Sequence, residues 1–190
     1  MIGQRITTPV LQARWAYGEI TSPRFANFYR GGVPPDLMQK ASDGIPFEAL
    51  EPNETALLTA LQSQVRQALL PFLSGINEFV CESWSKATLM RVYTLPALDP
   101  QRRGRLVPLI SFVASPRFLD ANGNPEPTDP RVAADQVPLT EAFVNSEPVP
   151  VGLWQGYRVL IDGYRRSILF LRSENLQGEI LAWVPVERKP

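Results

Sequence analysis

The chain has 190 residues, of which 44% are hydrophobic, and its 19 basic and 19 acidic side chains leave no net charge. This composition supports a packed core, excludes an intrinsically disordered protein, and argues against binding nucleic acid by electrostatics alone. Histidine is absent and cysteine occurs once, which excludes a Ser-His-Asp triad, a Cys-His pair, a His-ligated or multi-cysteine zinc site and an intrachain disulfide.

The N-terminal segment and the apolar runs give an expectation of location. Met1–Pro9 is polar and no apolar leader segment follows it, and no run approaches the ~20 apolar residues of a membrane span. Cys81 lies in an apolar stretch and is interpreted as a core residue rather than a nucleophile. We therefore expect a cytoplasmic protein with no membrane partner and with no zinc, haem or disulfide.

The first elements in chain order are short. The pattern predicts a first strand over Gln12–Ile20 and, over Pro34–Ala41, a helix with prolines at its first positions. Between them, Ser22–Gly32 is aromatic and basic and ends in glycine. This segment could be a loop that lines a pocket or an aromatic anchor in the core, and the anchor is the favoured interpretation.

A longer helical region is predicted next. Over Asn53–Phe72 apolar residues recur at helical spacing behind a favourable N-cap, and Ile76–Met90 repeats the pattern, which predicts a helical hairpin. Such stripes are typical of a core or of a partner interface. Residues 53–90 are therefore a candidate surface for a homo-oligomer or a protein partner, within a helical insertion over 33–92.

The following part, residues 93–147, is predicted as a strand and proline-rich loops. The strand is expected over Leu106–Phe112, a long loop over 115–136, and a short helix over Val137–Asn145. Arg102-Arg103-Gly104-Arg105 is a local basic patch that could contact DNA, and a solvated loop is the favoured interpretation.

The strongest pattern is a strand–turn–helix unit. It predicts a strand over Tyr157–Ile161, an Asp-Gly turn, and a helix over Tyr164–Arg172 whose first turn carries Arg165 and Arg166. The first turn of a helix has partial positive charge and unpaired N–H groups, so arginines there suggest a bound anion, most commonly phosphate.

Two alternatives stand beside the anion site. Asp-Gly is also a two-residue hairpin signal, but the continuous apolar run Ile168–Leu171 favours a helix over an alternating strand. The spacing also fits a local ion pair between Asp162 and the two arginines on a solvated surface. The sequence leaves that alternative open.

The segment Leu160–Ser167 resembles the central motif of the ParB/sulfiredoxin superfamily, in which a strand ends in Gly-x-(Arg/His)-Arg before a helix that packs on the sheet. The flanks agree: Pro148–Trp154 is similar to the preceding strand, Gln155-Gly156 to the hairpin turn, and Glu179–Val186 to the following strand. The resemblance covers 148–186. It implies a single α+β domain over 1–190, with a small mixed sheet, packed helices and a helical insertion.

The resemblance implies a phosphate-binding turn. Gly163 matches the motif glycine, Arg166 the nearly fixed phosphate-pairing arginine, and Arg165 a position that is Arg in ParB proteins and often His elsewhere. Tyr164 and Ser167 complete the set of expected ligand-binding residues. Tyr164 also departs from the family, because sulfiredoxins carry their catalytic cysteine there, so reduction of sulfinic acid is not expected.

Two carboxylates are the candidate catalytic residues. Asp162 matches an acidic residue of many members and could orient an arginine or ligate Mg²⁺ beside the phosphates. A glutamate near the first strand acts as base in kinase-like members, and Glu19 is the candidate by position. The favoured alternative for Glu19 is an exposed carboxylate at a strand edge.

The leading hypothesis is a ParB/sulfiredoxin-like domain that binds a nucleotide such as ATP or CTP, or another phosphate-bearing ligand, with Mg²⁺ as the expected cofactor. The resemblance extends this hypothesis to NTP hydrolysis, phosphoryl transfer or nuclease activity, and phosphoryl transfer does not require histidine. Two alternatives remain: a non-catalytic interaction module of mobile-element or phage origin, and a DNA-binding protein of the partition type.

Overall fold

A computed structural model describes residues 1–22, 25–95, 106–114, 144–174 and 176–186 of the chain. The chain divides into two compact units. We call Ile6–Phe79 the helical unit, and Met1–Arg5 together with Val80–Pro190 the sheet unit. The single domain over 1–190 stays a prediction. The predicted basic patch at 102–105, the loop over 115–136 and most of the helix over 137–145 lie outside the described residues.

Helices and strands alternate irregularly along the chain. The described helices are α1 (Thr8–Glu19), α2 (Ala26–Tyr29), α3 (Pro35–Ser42), α4 (Pro52–Val65), α5 (Lys86–Leu89), α6 (Leu109–Ala114) and α7 (Tyr164–Arg172), with 3₁₀ turns over Phe47–Ala49 and Gln67–Phe72. The described strands are β1 (Arg5–Thr7), β2 (Glu78–Trp84), β3 (Tyr93–Thr94), β4 (Val107–Pro108), β5 (Val149–Trp154), β6 (Tyr157–Leu160) and β7 (Ile180–Pro185).

The helical unit is built around α1 and α4, which pack against each other. Proline occupies the first turn of both helices, where its missing N–H costs nothing. The N-terminus of α4 is closed by a reciprocal capping box between Glu51 and Glu54. The core of the unit consists of small and aliphatic side chains around one tyrosine: Ala13, Ala16, Ile20, Tyr29, Leu37 and Leu58.

The sheet has seven strands in the order β1-β2-β7-β5-β6-β3-β4. β5 and β6 form an antiparallel hairpin through Gln155 and Gly156, whose φ angles of 51° and 81° are those that a two-residue hairpin turn requires. β7 runs parallel to β5, and β3 runs parallel to β6. The chain is therefore a mixed α+β protein with a mixed sheet, as predicted.

The predicted strand–strand–helix–strand segment is confirmed. Strands begin at Val149, Tyr157 and Ile180, and the helix covers Tyr164–Arg172 as the sequence predicts. The short helix near residue 35 is also confirmed. The aromatic segment that follows α1 contains Tyr29, which has no exposed surface, so the favoured anchor interpretation is confirmed for that residue.

Three predicted elements are wrong. The strand predicted over Gln12–Ile20 is instead the second part of α1 with its C-cap residue, Ile20. The residues of α1 are buried on almost every side and therefore show no helical period. The helix over Ile76–Met90 is replaced by β2 and α5, so the predicted helical hairpin is absent and residues 33–92 include a strand. The strand over Leu106–Phe112 is only two residues long and is followed by α6.

The helix over Asn53–Phe72 is confirmed in its first part only. α4 ends at Val65, and a 3₁₀ turn that contains Pro71 continues to Phe72. The N-cap is Glu51 rather than Asn53, because Pro52 already has helical geometry. Across the described ranges, no helix combines the length and the apolar character needed to cross a membrane.

Candidate functional site

The candidate site is the N-terminus of α7, which begins directly after the turn at the end of β6. Gly163 is the N-cap residue, with φ of +78°, and no side chain caps the helix there. The first turn contains no acidic residue and carries Arg165 and Arg166. The positive end of the helix dipole is thus paired with basic side chains, which is electrostatically unfavourable without an anion.

Glycine is required at position 163 for two reasons. Its φ of +78° lies in the left-handed region, which other residues enter at a cost. A Cβ at this position would also lie 2.5 Å from Cγ1 of Val149 and 3.3 Å from Nη2 of Arg166. The turn therefore packs tightly against β5, and the Arg166 guanidinium folds back toward the beginning of its own helix.

Arg166 is partly buried. Its Nη1 donates a hydrogen bond to the main-chain carbonyl of Glu147, a neutral acceptor. Burial lowers the pKa of the guanidinium, and the negative charges of Asp162 and Glu147 offset this effect only in part. Within the described residues, no carboxylate forms an ion pair with Arg166. The side chain keeps its charge, since arginine does not deprotonate in proteins.

Arg165 and Asp162 lie at the more open side of the turn. Arg165 is exposed, and Asp162 is partly buried. In the described part of the chain, Asp162 forms no ion pair with either arginine. The negative charge of Asp162 still stabilises the Arg166 guanidinium at longer range, so local compensation by Asp162 stays an alternative.

Tyr164 and Ser167 point into the protein rather than toward solvent. The Tyr164 hydroxyl accepts a hydrogen bond from the N–H of Leu95 at 2.8 Å and donates one to the carbonyl of Leu160. Burial raises the pKa of this hydroxyl. Ser167 has no exposed surface, and its hydroxyl has no hydrogen-bond partner among the described residues. Direct ligand contact by these two side chains stays a prediction.

The other end of α7 has the opposite electrostatic character. Lys86 donates a hydrogen bond to the carbonyl of Ser173, and Nε of Arg172 donates to the carbonyl of Val113 at 3.1 Å. Cations are favoured at the C-terminus of a helix, where the carbonyl groups carry partial negative charge. The basic residues at this end are explained by the helix itself, unlike those at the N-terminal end.

Glu19 lies in the helical unit, in a polar network of its own. Its carboxylate accepts hydrogen bonds from Nη2 of Arg66, from Nε of Arg66 at 3.2 Å, and from the hydroxyl of Tyr29. The Tyr29 hydroxyl also contacts the side-chain amide of Gln62. Glu19 is 4% exposed and lies on a helix, so the favoured alternative of an exposed carboxylate at a strand edge is wrong. Its role as a catalytic base stays a prediction.

Sequence reasoning missed the groups that hold the site in place. Val149 closes over Gly163, the carbonyl of Glu147 holds Arg166, and the main chain of Leu95 holds Tyr164. Val149 acts by packing, and Glu147 and Leu95 act through main-chain groups, so their side-chain types give no sign that they support the site. Around Glu19, Arg66 was detectable, because it is a charged residue inside the apolar run of the predicted helix.

Comparison with protein-family models, curated proteins and solved structures finds no match for this chain. The resemblance to the ParB/sulfiredoxin superfamily therefore stays a prediction. In the described part of the chain, no group of three or more Asp, Glu, Cys or His residues is arranged to hold a metal ion. Cys81 is buried, which agrees with the interpretation that it belongs to the core.

Proposed function

We propose that the turn at Gly163 and the first turn of α7 bind a phosphate-bearing ligand, with a nucleotide as the preferred candidate. The observation that carries this proposal is the environment of Arg166. Its guanidinium lies at the positive end of α7 and is bonded to a neutral carbonyl rather than to a carboxylate. The carboxylates of Asp162 and Glu147 offset the cost of burying this charge only in part, and a phosphate bonded to the guanidinium would compensate for the rest.

The roles of the individual groups follow from their exposure. Gly163 gives the turn its left-handed conformation, and Arg165 is the accessible guanidinium that can form a two-point contact with phosphate oxygens. Arg166 contributes its charge from a partly buried position. This arrangement resembles an anion site that combines helix N–H groups with arginine side chains.

Asp162 is the carboxylate that would hold Mg²⁺ at this site. It is partly buried next to the turn and forms no ion pair within the described residues. Mg²⁺ is typically bound through one or two protein carboxylates together with phosphate oxygens and water, so a single carboxylate fits that pattern. The metal would supply charge neutralisation on the phosphates, as in other phosphate-binding sites.

The test is a thermal melting scan of the full chain against ATP, CTP, GTP, UTP, inorganic pyrophosphate and short DNA, with and without Mg²⁺. A ligand at ~100 times its dissociation constant adds about 2.7 kcal/mol to the free energy of unfolding, which is an easily measured shift. We expect one nucleotide to stabilise the protein and Arg166→Met to remove that stabilisation. Arg91→Ala is the matched control, because Arg91 is an exposed arginine of the same unit.

Three outcomes contradict the proposal in different ways. Stabilisation that survives in Arg166→Met would place the ligand elsewhere. Salt-sensitive retention of DNA without any nucleotide effect would favour the partition-type alternative. The absence of any ligand effect, together with a stable oligomer or a captured protein, would favour the interaction module.

A further inference from the structure

The Tyr164 hydroxyl joins the ends of two parallel strands. β3 and β6 run side by side with Tyr93 opposite Val159. Leu95 directly follows β3, and Leu160 is the last residue of β6. The hydroxyl accepts the N–H of Leu95 at 2.8 Å and donates to the carbonyl of Leu160. One buried oxygen thus satisfies one main-chain group from each strand end.

The bond to Leu160 also closes the turn that precedes α7. Leu160 and Tyr164 lie on either side of Ile161, Asp162 and Gly163, so the side chain of Tyr164 bridges the segment whose main chain faces the candidate site. Tyr164 is 6% exposed, so its ring is fixed by packing as well as by hydrogen bonds. A turn fixed in this way does not have to be ordered when a ligand binds, which favours affinity.

We propose that Tyr164 is the positioning residue of this site. The proposal rests on the function proposed above and adds to it a role for the Tyr164 side chain. The hydroxyl does not contact the ligand, because the main chain already uses it both as acceptor and as donor. Instead it holds the Asp162–Gly163 turn in the conformation that binds phosphate and connects that turn to the main chain of Leu95. Ligand binding is therefore expected to change the protection of the main-chain N–H of Leu95, at the end of β3.

The experiment compares Tyr164→Phe with Tyr17→Phe in the full chain. Tyr17 is a matched control, because its hydroxyl also donates to a main-chain carbonyl, that of Ile45 at 2.8 Å, but in the helical unit. Affinity is measured by calorimetry with pyrophosphate and with whichever nucleotide stabilises the wild-type protein. Tyr164→Phe removes both hydrogen bonds of the hydroxyl, so the turn must be ordered when ligand binds, and we expect binding to weaken about tenfold. We expect Tyr17→Phe to leave binding unchanged.

A second measurement separates positioning from a general structural role. Amide hydrogen exchange at Leu95 is followed with and without ligand. In the wild-type protein, ligand should slow exchange at Leu95, and in Tyr164→Phe this ligand-dependent change should be absent. A variant that melts at lower temperature but keeps both the wild-type affinity and the ligand-dependent protection of Leu95 overturns the proposal.

The wild-type protein provides the test if Tyr164→Phe does not fold. In that case ligand is titrated while the amide signals of Gly163, Arg165 and Leu95 are recorded by NMR. Changes at Gly163 and Arg165 with none at Leu95 overturn the positioning role and leave the proposed function intact. A wild-type protein that binds neither pyrophosphate nor any nucleotide overturns the proposed function itself, and the positioning role with it.

Discussion

Arg66 in the helical unit and Arg166 in the sheet unit are both partly buried, but they have different partners. Nε and Nη2 of Arg66 both bond to the carboxylate of Glu19, and its guanidinium carbon lies 4.0 Å from the centre of the Phe25 ring. Arg166 bonds to the main-chain carbonyl of Glu147. Arg66 is therefore neutralised by a bonded carboxylate, whereas Arg166 is hydrogen-bonded to a neutral group and only partly compensated by the nearby charges of Asp162 and Glu147.

The difference separates two uses of a buried arginine. A guanidinium that forms a two-point contact with a carboxylate and stacks on an aromatic ring is a structural element, and its removal leaves an unpaired charge behind. A guanidinium at the positive end of a helix, bonded only to a neutral oxygen, leaves a place for a negative group from outside the protein. The contacts inside the protein account for a positive charge at Arg66, but they do not account for one at Arg166.

The same substitution at both positions gives the largest expected effect. Arg66→Met should lower the free energy of unfolding by about 3 kcal/mol, because Glu19 stays buried without its cation. Arg166→Met should cost at most about 1 kcal/mol without ligand, because it removes one hydrogen bond but also a buried charge. Urea denaturation of the full chain measures both values.

An equal and large loss in both variants would contradict the comparison, because Arg166 would then be as structural as Arg66. Glu54→Gln is a control for the loss of one charge from an ion pair whose other member, Lys40, lies at the surface. Lys40 pairs with Glu54 at 2.7 Å on a more open surface, and glutamine can still serve the capping box at the start of α4. We expect this control to show little change in stability.

Two glycines sharpen the comparison at the turn itself. Gly163→Ala should lower the free energy of unfolding by about 2 kcal/mol, because the new Cβ combines an unfavourable φ with a clash against Val149. Gly156 has a φ of +81° but no atom near its missing Cβ, so Gly156→Ala should cost only about 1 kcal/mol. Thermal melting of the two variants measures the difference, and equal losses would show that the contact with Val149 is unimportant.

The segment from β5 to β7 could be predicted from the sequence because its signals are local. Gln155-Gly156 and Asp162-Gly163 mark turns whose glycines have positive φ, and the continuous apolar run in α7 excludes an alternating strand. The charge pattern of Arg165 and Arg166 likewise lies within one helical turn. Local chemistry was therefore sufficient to place the candidate site at the beginning of α7.

The segment from α1 to β2 was harder to predict, first because α1 has no polar face. Consecutive residues of α1 from Leu11 to Ala16 are all buried, so the periodicity that identifies a surface helix is missing. In β2, Phe79 and Cys81 alternate with Glu78, Val80 and Glu82, which is a strand period, but the same apolar residues also fit a helical stripe. The helical stripe was therefore chosen, although the segment forms a strand.

The contacts that complete the site depend on the sheet rather than on the motif. Val149 reaches Gly163 because β5 and β6 pair in one register, and Leu95 reaches Tyr164 because β3 lies parallel to β6. The burial of Glu19 depends on α1 and α4 in the same way. Such long-range pairing leaves no trace in a single sequence, so the motif could be predicted but its supports could not.

The smallest expected effect on stability concerns Arg165, the exposed arginine of the candidate site. Without a bound anion, Arg165→Glu should leave the free energy of unfolding unchanged or raise it by about 0.3 kcal/mol, because a carboxylate suits the positive end of α7. The same change should abolish stabilisation by phosphate-bearing ligands, and Arg165→Gln should weaken it less because no negative charge is added. Melting curves with and without ligand measure both effects.

A variant that loses its fold would show that Arg165 is structural, whereas a variant that keeps full ligand stabilisation would remove this residue from the site. Only the combination of an intact fold with lost stabilisation fits an arginine that is placed there for a ligand.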